Sequence, residues 1–313
     1  MASSLLKLPT LSIRAPNSET LSRSQFQSTL YQLNKNTVYA TLSSSSSPPT
    51  SKAEAISQAK ACISTTLEKP PNSVPKLTGK LKKLKQPRYR VEVPVMDDSP
   101  ASLTQLAQEV FYCMPIRKKG SKVKIAIIWP DPILSSAASR YYEPNSFNQV
   151  DHMDISDITD DRILNAADVA VLFAPEQKHL ASIKSLAGTI NPKPVLIFNP
   201  KWAFEDEESF GQMSSFVRSF EIIYAFMGLE VKGIFNRKRG MVFKCVRDGV
   251  VSGEKWSVLV EEDGGMKVVS KFSSRPSIGE VKTVLYNLMA MNSPVTKSAK
   301  FLKDLVSNVT GKT

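Results

Sequence analysis

From residue 52 onward, apolar positions follow two alternating rhythms. The first has helical spacing. In 52–68 it runs through Ile56, Ala59, Ile63 and Leu67, with Ser51 and Glu54 placed as a capping box. In 100–114 it runs through Leu103, Leu106, Ala107, Val110, Phe111 and Met114, behind Ser99 as cap and Pro100 as first helical residue. The same spacing predicts helices near 132–142, over 176–188 and over 209–227. The last of these carries Met213, Phe216, Val217, Phe220, Ile223, Tyr224 and Met227 on one face, with Gly228 placed to stop it. Two more helices close the chain, 278–291 with Ser277 and Glu280 as a second capping box, and 297–309.

The second rhythm belongs to strands. In "RYRVEVPV", Tyr89, Val91, Val93 and Val95 alternate with Arg88, Arg90 and Glu92, which predicts a strand with one wet face. "KVKIAIIWP" (122–130), "DVAVLFAP" (168–175) and "PVLIFNP" (194–200) are instead continuous apolar runs, suited to strands covered on both faces. Strands alternating with helices imply a parallel sheet wound right-handed. From 233 the pattern changes to "MVFKCVRDGVV", "KWSVLVEEDGG" and "MKVVSKF", three strands joined by Asp248-Gly249 and Asp263-Gly264-Gly265. The expected fold is α/β: a largely parallel three-layer sheet with helices on both faces, then an antiparallel β-meander and C-terminal helices. It occupies 51–313 as a single domain, with the parallel part over 51–228, the meander over 233–272 and the closing helices over 277–309.

Composition separates the beginning of the chain from this body. Residues 1–50 hold 18 Ser or Thr and four basic residues against one acid, Glu19. That bias resembles a plastid transit peptide over 1–40, followed by a Ser/Pro-rich linker over 41–50. No apolar run approaches the roughly 20 residues that a bilayer-spanning helix needs. The cysteines, Cys62, Cys113 and Cys245, form no C-x-x-C pair, so buried reduced thiols are expected rather than a disulfide framework or a thiolate metal site.

Charge is distributed unevenly. The chain carries +12, and "KLTGKLKKLKQPRYR" at 76–90 holds seven of its cations with no acid: Lys76, Lys80, Lys82, Lys83, Lys85, Arg88 and Arg90. Such a segment suits an anionic lipid surface or a negatively charged protein, and would also meet nucleic-acid phosphates. Its single aromatic, Tyr89, offers no stacking platform, so nucleic acid is the weaker expectation. Arg237-Lys238-Arg239 forms a second basic group.

Three expected strands end in similar punctuation, "WPDP", "APEQ" and "NPKW". If they are neighbours, Asp131, Glu176, Asn199 and Lys201 cluster with Asp97 and Asp98 at the carboxyl edge, where open α/β sheets bind ligands. The same residue types also cap helices and turn chains after strands. Neither a phosphate-binding glycine loop nor a G-x-S-x-G elbow is present. His179 on a helix and His152 among polar loop residues are expected at the surface rather than as general bases. No catalytic residue, cofactor or metal is expected.

The strand ending "NPKW", the segment "SFEIIYAF" at 219–226 taken as a helix, and the tryptophan-bearing strand "KWSVLVE" together resemble a plastid and cyanobacterial domain-of-unknown-function family. Its members include the low-photosystem-II-accumulation assembly factors, and the resemblance covers roughly 51–272. It implies a non-enzymatic stromal protein that helps photosystem subunits assemble at the thylakoid without remaining in the complex. Partners would be thylakoid membrane proteins or photosystem assembly intermediates. A related domain occurs fused to a plastid adenylate kinase, but the kinase's glycine-rich loop is missing here. Two other readings stay open: an enzyme or sensor of a small anionic metabolite at the strand ends, and a plastid RNA-binding protein.

Overall fold

The computed structural model describes residues 47–68, 86–95, 97–112, 114–118, 121–140, 149–157, 161–203, 205, 207–232, 237–246, 255–262 and 265–291. The expected transit peptide, most of the linker, five of the seven cations of 76–90, and the helix over 297–309 lie outside these residues. Those described from Pro49 onward belong to one compact unit.

Helix α1 (Lys52–Glu68) begins as its cap predicts. Ser51 Oγ accepts from the Glu54 N–H at 3.1 Å, while the Glu54 carboxylate accepts from the N–H and hydroxyl of Thr50, each at 2.8 Å. Strand β1 (Arg88–Glu92) leads to α2 (Pro100–Ala107), whose cap Ser99 accepts from the Ser102 N–H at 3.2 Å. Here the expected 100–114 helix is corrected, because the chain widens into a π-helical segment over Gln108–Tyr112. The wider turn keeps Val110, Phe111 and Tyr112 buried together. A small antiparallel pair follows, β2 (Arg117–Lys118) and β3 (Ser121–Lys122).

Next come β4 (Lys124–Trp129), α3 (Pro132–Arg140), β5 (Gln149–Asp154), α4 (Asp161–Ala166) and β6 (Val169–Phe173). A 3₁₀ turn, Gln177–His179, opens α5 (Leu180–Thr189), and β7 (Val195–Phe198) follows. Strand β5 was not expected: "QVDHMD" has the polarity of a loop because it pairs only with β4, at the sheet's edge.

The predicted helix over 209–227 is the largest correction. Gly211, at φ 52, interrupts it inside a 3₁₀ segment, only Ser214–Arg218 (α6) is α-helical, and Glu221–Lys232 is strand β8. Helical spacing and a β-rich run coincide in "EIIYAF", and tertiary pairing with β1 and β9 decides between them. Gly228 therefore stops nothing and sits within β8, opposite Met241. Strands β9 (Arg237–Cys245), β10 (Trp256–Glu262) and β11 (Gly265–Phe272) complete the meander, and α7 (Ile278–Met291) follows. The second capping box forms in full: Ser277 Oγ accepts from the Glu280 N–H at 3.2 Å, and the Glu280 carboxylate accepts from the Ser277 N–H at 2.8 Å.

Nine of the described strands make one sheet in the order β11-β10-β9-β8-β1-β7-β6-β4-β5, parallel from β8 to β5 and antiparallel from β8 to β11. Helices α1, α2 and α3 cover one face, packing on Val91, Ile127, Phe173, Phe198 and Tyr224. On the other face α4, α5 and α6 pack over β4, β6 and β7, whereas α7 packs over β8, β9 and β10. The sheet is thus mixed and three-layered, as the residue pattern implies. Along "VLIF", Val195 and Ile197 enter one core and Leu196 and Phe198 the other, which accounts for a run without polar breaks.

Candidate functional site

The chain passes from β1 to α2 on one face and from β7 to α6 on the other, so the carboxyl ends of neighbouring β1 and β7 form a topological switch point. The "WPDP", "APEQ" and "NPKW" turns meet along this edge because β7, β6 and β4 are adjacent. The predicted cluster does assemble in part. Lys201 Nζ lies 3.6 Å from Asp98 and 3.9 Å from Glu176, which in turn pairs with Lys178 at 2.9 Å. These pairs are solvent-exposed and so contribute little to stability. The Lys178 hydrogen bond holds the Glu176 carboxyl below its ordinary range.

The polar groups at this edge do structural work. Asn199, at φ 50, accepts from the Val93 N–H through Oδ1 at 2.7 Å and donates from Nδ2 to the Val93 carbonyl at 3.0 Å. Its side chain thereby prolongs the β1–β7 ladder past the point where Pro200 lacks a donor. That is why the apolar run ends in Asn-Pro. Asp131 caps α3, accepting from the Leu134 N–H at 2.9 Å. His179, expected at the surface, is buried and accepts from the Glu176 N–H through Nδ1 at 3.1 Å; burial lowers its pKa. Ala174, at φ 47, repeats on β6 the left-handed turn that Asn199 makes on β7.

The expected wet face of β1 is also corrected. That face is covered, and Arg88, Arg90 and Glu92 lie between the two apolar clusters on its side of the sheet. Glu92 is fully buried; Arg90 Nε lies 2.6 Å from it, and Arg275 forms a two-pronged pair with it at 2.7 and 2.8 Å. Burial alone would push the Glu92 carboxyl up, but Arg275 and Arg90 together hold it below its ordinary range. Arg275 also lies over the Trp256 ring at 5.4 Å and donates to the Ala203 carbonyl. Arg90 is therefore internal, and Arg88 is half-buried, donating to Gln86 and Ser219 and lying over Phe216. Neither presents the exposed cation that the basic run suggested; Lys76, Lys80, Lys82, Lys83 and Lys85 lie outside the described residues.

On the opposite face, His152 sits on β5 between Trp129 and Tyr112. Trp129 Nε1 donates to its Nδ1 at 3.0 Å, and its Nε2 lies 2.6 Å from the Tyr112 hydroxyl. Since indole only donates, Nδ1 carries no proton and the neutral ring is protonated at Nε2. Burial lowers this pKa to about 4. Sequence gave no sign of the arrangement because the π-helical turn that delivers Tyr112 and the edge strand that carries His152 both escape simple periodicity. Arg275 was equally hidden, standing alone in "SSRPS" some 183 residues from its partner.

Among the described residues, no group of three or more His, Cys, Asp or Glu is arranged to hold a metal ion, and no helix is long and apolar enough to cross a membrane. A shallow cavity of about 320 Å³ is lined by Glu230, Lys238, Arg239 and Glu261, so two members of the second basic group face acids. Arg239 lies 3.7 Å from Glu230.

A family model described as "Domain of unknown function (DUF1995)" matches residues 49–283. No curated protein matches. Among solved structures, the flagellar accessory protein FlaH from Methanocaldococcus jannaschii is similar at 10% identity and a TM-score of 0.20, over 48% of this chain and 92% of that one. A likeness so slight carries no argument about fold or function.

Proposed function

The chain belongs to the family defined by the domain of unknown function DUF1995, and on that premise we propose that it is a non-enzymatic accessory protein of the chloroplast stroma. In this reading it docks peripherally on the stromal face of the thylakoid and assists the accumulation of a photosystem, photosystem II in the first instance. The observation that carries the docking role is the density of charge in 76–85, five lysines without an acid. Each cation near an anionic surface contributes about 1 kcal/mol, so five suffice for reversible attachment. Arg88 and Arg90 are excluded from the docking set because β1 holds them inside. The reading as an accessory protein rather than an enzyme is supported by the strand-end groups, since Asn199, Asp131 and His179 already serve backbone partners.

The test is co-sedimentation of the purified full chain with thylakoids. Raising salt from about 0.1 M to about 1 M shortens the Debye length from about 10 Å to about 3 Å and should release the protein. Charge reversal at Lys80, Lys82, Lys83 and Lys85 should release it at low salt while leaving its melting temperature nearly unchanged. Attachment that survives high salt and yields only to detergent would refute electrostatic docking.

A second reading, a sensor of a small anionic metabolite at the β1–β7 switch point, draws on the adjacent left-handed residues Ala174 and Asn199. Ligand-dependent thermal stabilisation by a plastid metabolite, abolished by Lys201→Ala, would favour it over docking alone.

A further inference from the structure

Two of the three cysteines, far apart in sequence, meet in space. Cys62 Sγ, on α1, lies 3.4 Å from Cys245 Sγ, the last residue of β9. A disulfide needs about 2.05 Å between sulfurs, so the two sulfurs have to approach by roughly 1–1.5 Å. The two thiols differ in access: Cys62 is buried at 3% exposure, and Cys245 is half-buried. Cys62 also donates to the Val246 carbonyl at 3.0 Å, which holds its sulfur toward β9. Tyr224, the partner of Cys245 across the β8–β9 ladder, donates to Gln58 on α1 at 3.4 Å and fixes the helix over the same spot.

We propose that Cys62 and Cys245 form an oxidation site that closes to an internal disulfide and tethers α1 to β9. The oxidant is a peroxide, small enough to reach a half-buried thiol. The Cys245 sulfur attacks one peroxide oxygen, the O–O bond breaks, and hydroxide leaves as water with the thiol proton, giving a sulfenic acid. The Cys62 sulfur then attacks the Cys245 sulfur and expels the sulfenic hydroxyl, which leaves as water with the Cys62 proton. In sum, two thiols and one hydrogen peroxide give one disulfide and two waters. The inference rests on this geometry and is independent of the docking role.

Cys113→Ser leaves Cys62 and Cys245 as the only thiols in the chain. After brief hydrogen peroxide treatment of this full-length variant, both thiols should resist maleimide added under denaturing conditions, and digestion should release one crosslinked peptide spanning residues 62 and 245. The melting temperature should rise by roughly 5–10 °C, as expected for a crosslink closing a long loop, and dithiothreitol should reverse it. Cys62→Ser and Cys245→Ser should each abolish the crosslink. Should the Cys113→Ser variant fold poorly, peptide mapping of the wild-type chain reads the same pairing. Thiols that both still alkylate, a sulfinic acid at Cys245 beside a thiol at Cys62, or a crosslink that lowers the melting temperature would each overturn the proposal.

Discussion

At the scale of single residues, two side chains carry more than their types suggest. Asn199 satisfies both backbone groups of Val93 while accepting a left-handed backbone. Asn199→Gly keeps the conformation and loses the amide, so it should cost about 1–3 kcal/mol in urea unfolding; Asn199→Ala should cost about 1 kcal/mol more, because a Cβ disfavours that φ. Finding the two variants equally stable would contradict the conformational part of this account. His152 gives a pH signature. The unfolded ring binds its proton near 6.5, but in the fold that affinity falls to about 4. Between these values the unfolded state holds more protons, so stability from this group is present above about 6.5 and is lost as pH falls toward 4. The loss amounts to about 2–3 kcal/mol. His152→Gln, which does not titrate, should show a stability deficit at pH 7 that shrinks on acidification; a constant deficit would mean that His152 does not titrate with unfolding.

At the scale of elements, the docking of α7 depends on a missing side chain. A Cβ on Gly240 of β9 would stand 2.9 Å from both terminal carbons of Leu285, closer than real contacts allow. Gly240→Val should therefore destabilise the fold by about 1–3 kcal/mol through overpacking, and the double variant with Leu285→Ala should lose less than the sum of the two single losses. An additive double variant would place the effect elsewhere. The elements also mark how far periodicity reaches. The capped helices α1 and α7 and the runs β4, β6 and β7 were legible because local preference and tertiary role agree there. In "SFEIIYAF" they conflict: helical spacing covers residues whose branched and aromatic side chains suit a strand, and only pairing with β1 and β9 decides the outcome. The same segment helped suggest the family, so sequence motif and conformation need not coincide.

At the scale of the molecule, the order of strands explains what the sequence could and could not place. Prolines after β4, β6 and β7 announced a shared edge, and adjacency brought Lys201 between Asp98 and Glu176 as foreseen. Long-range partners left no local trace. Glu92 with Arg275 and Cys62 with Cys245 are each separated by 183 residues, and alternation along β1 counted its charges as solvent-facing. Charge totals had the same limit, since seven cations in one run divide between β1's interior and the stretch before it. Under the proposed docking role, the salt response is therefore assigned to the five lysines.

The buried row on β1 has a mechanical consequence. Hydrophobic cohesion on that side of the sheet cannot pass continuously from the α5 half to the α7 half, because a guanidinium–carboxylate seam intervenes. Polar seams of this kind depend on geometry and yield abruptly once their partners separate, whereas oily contacts slide and recover. The core under α1 and α2 spans both halves, so the two should unfold in one transition, with separation beginning at the seam.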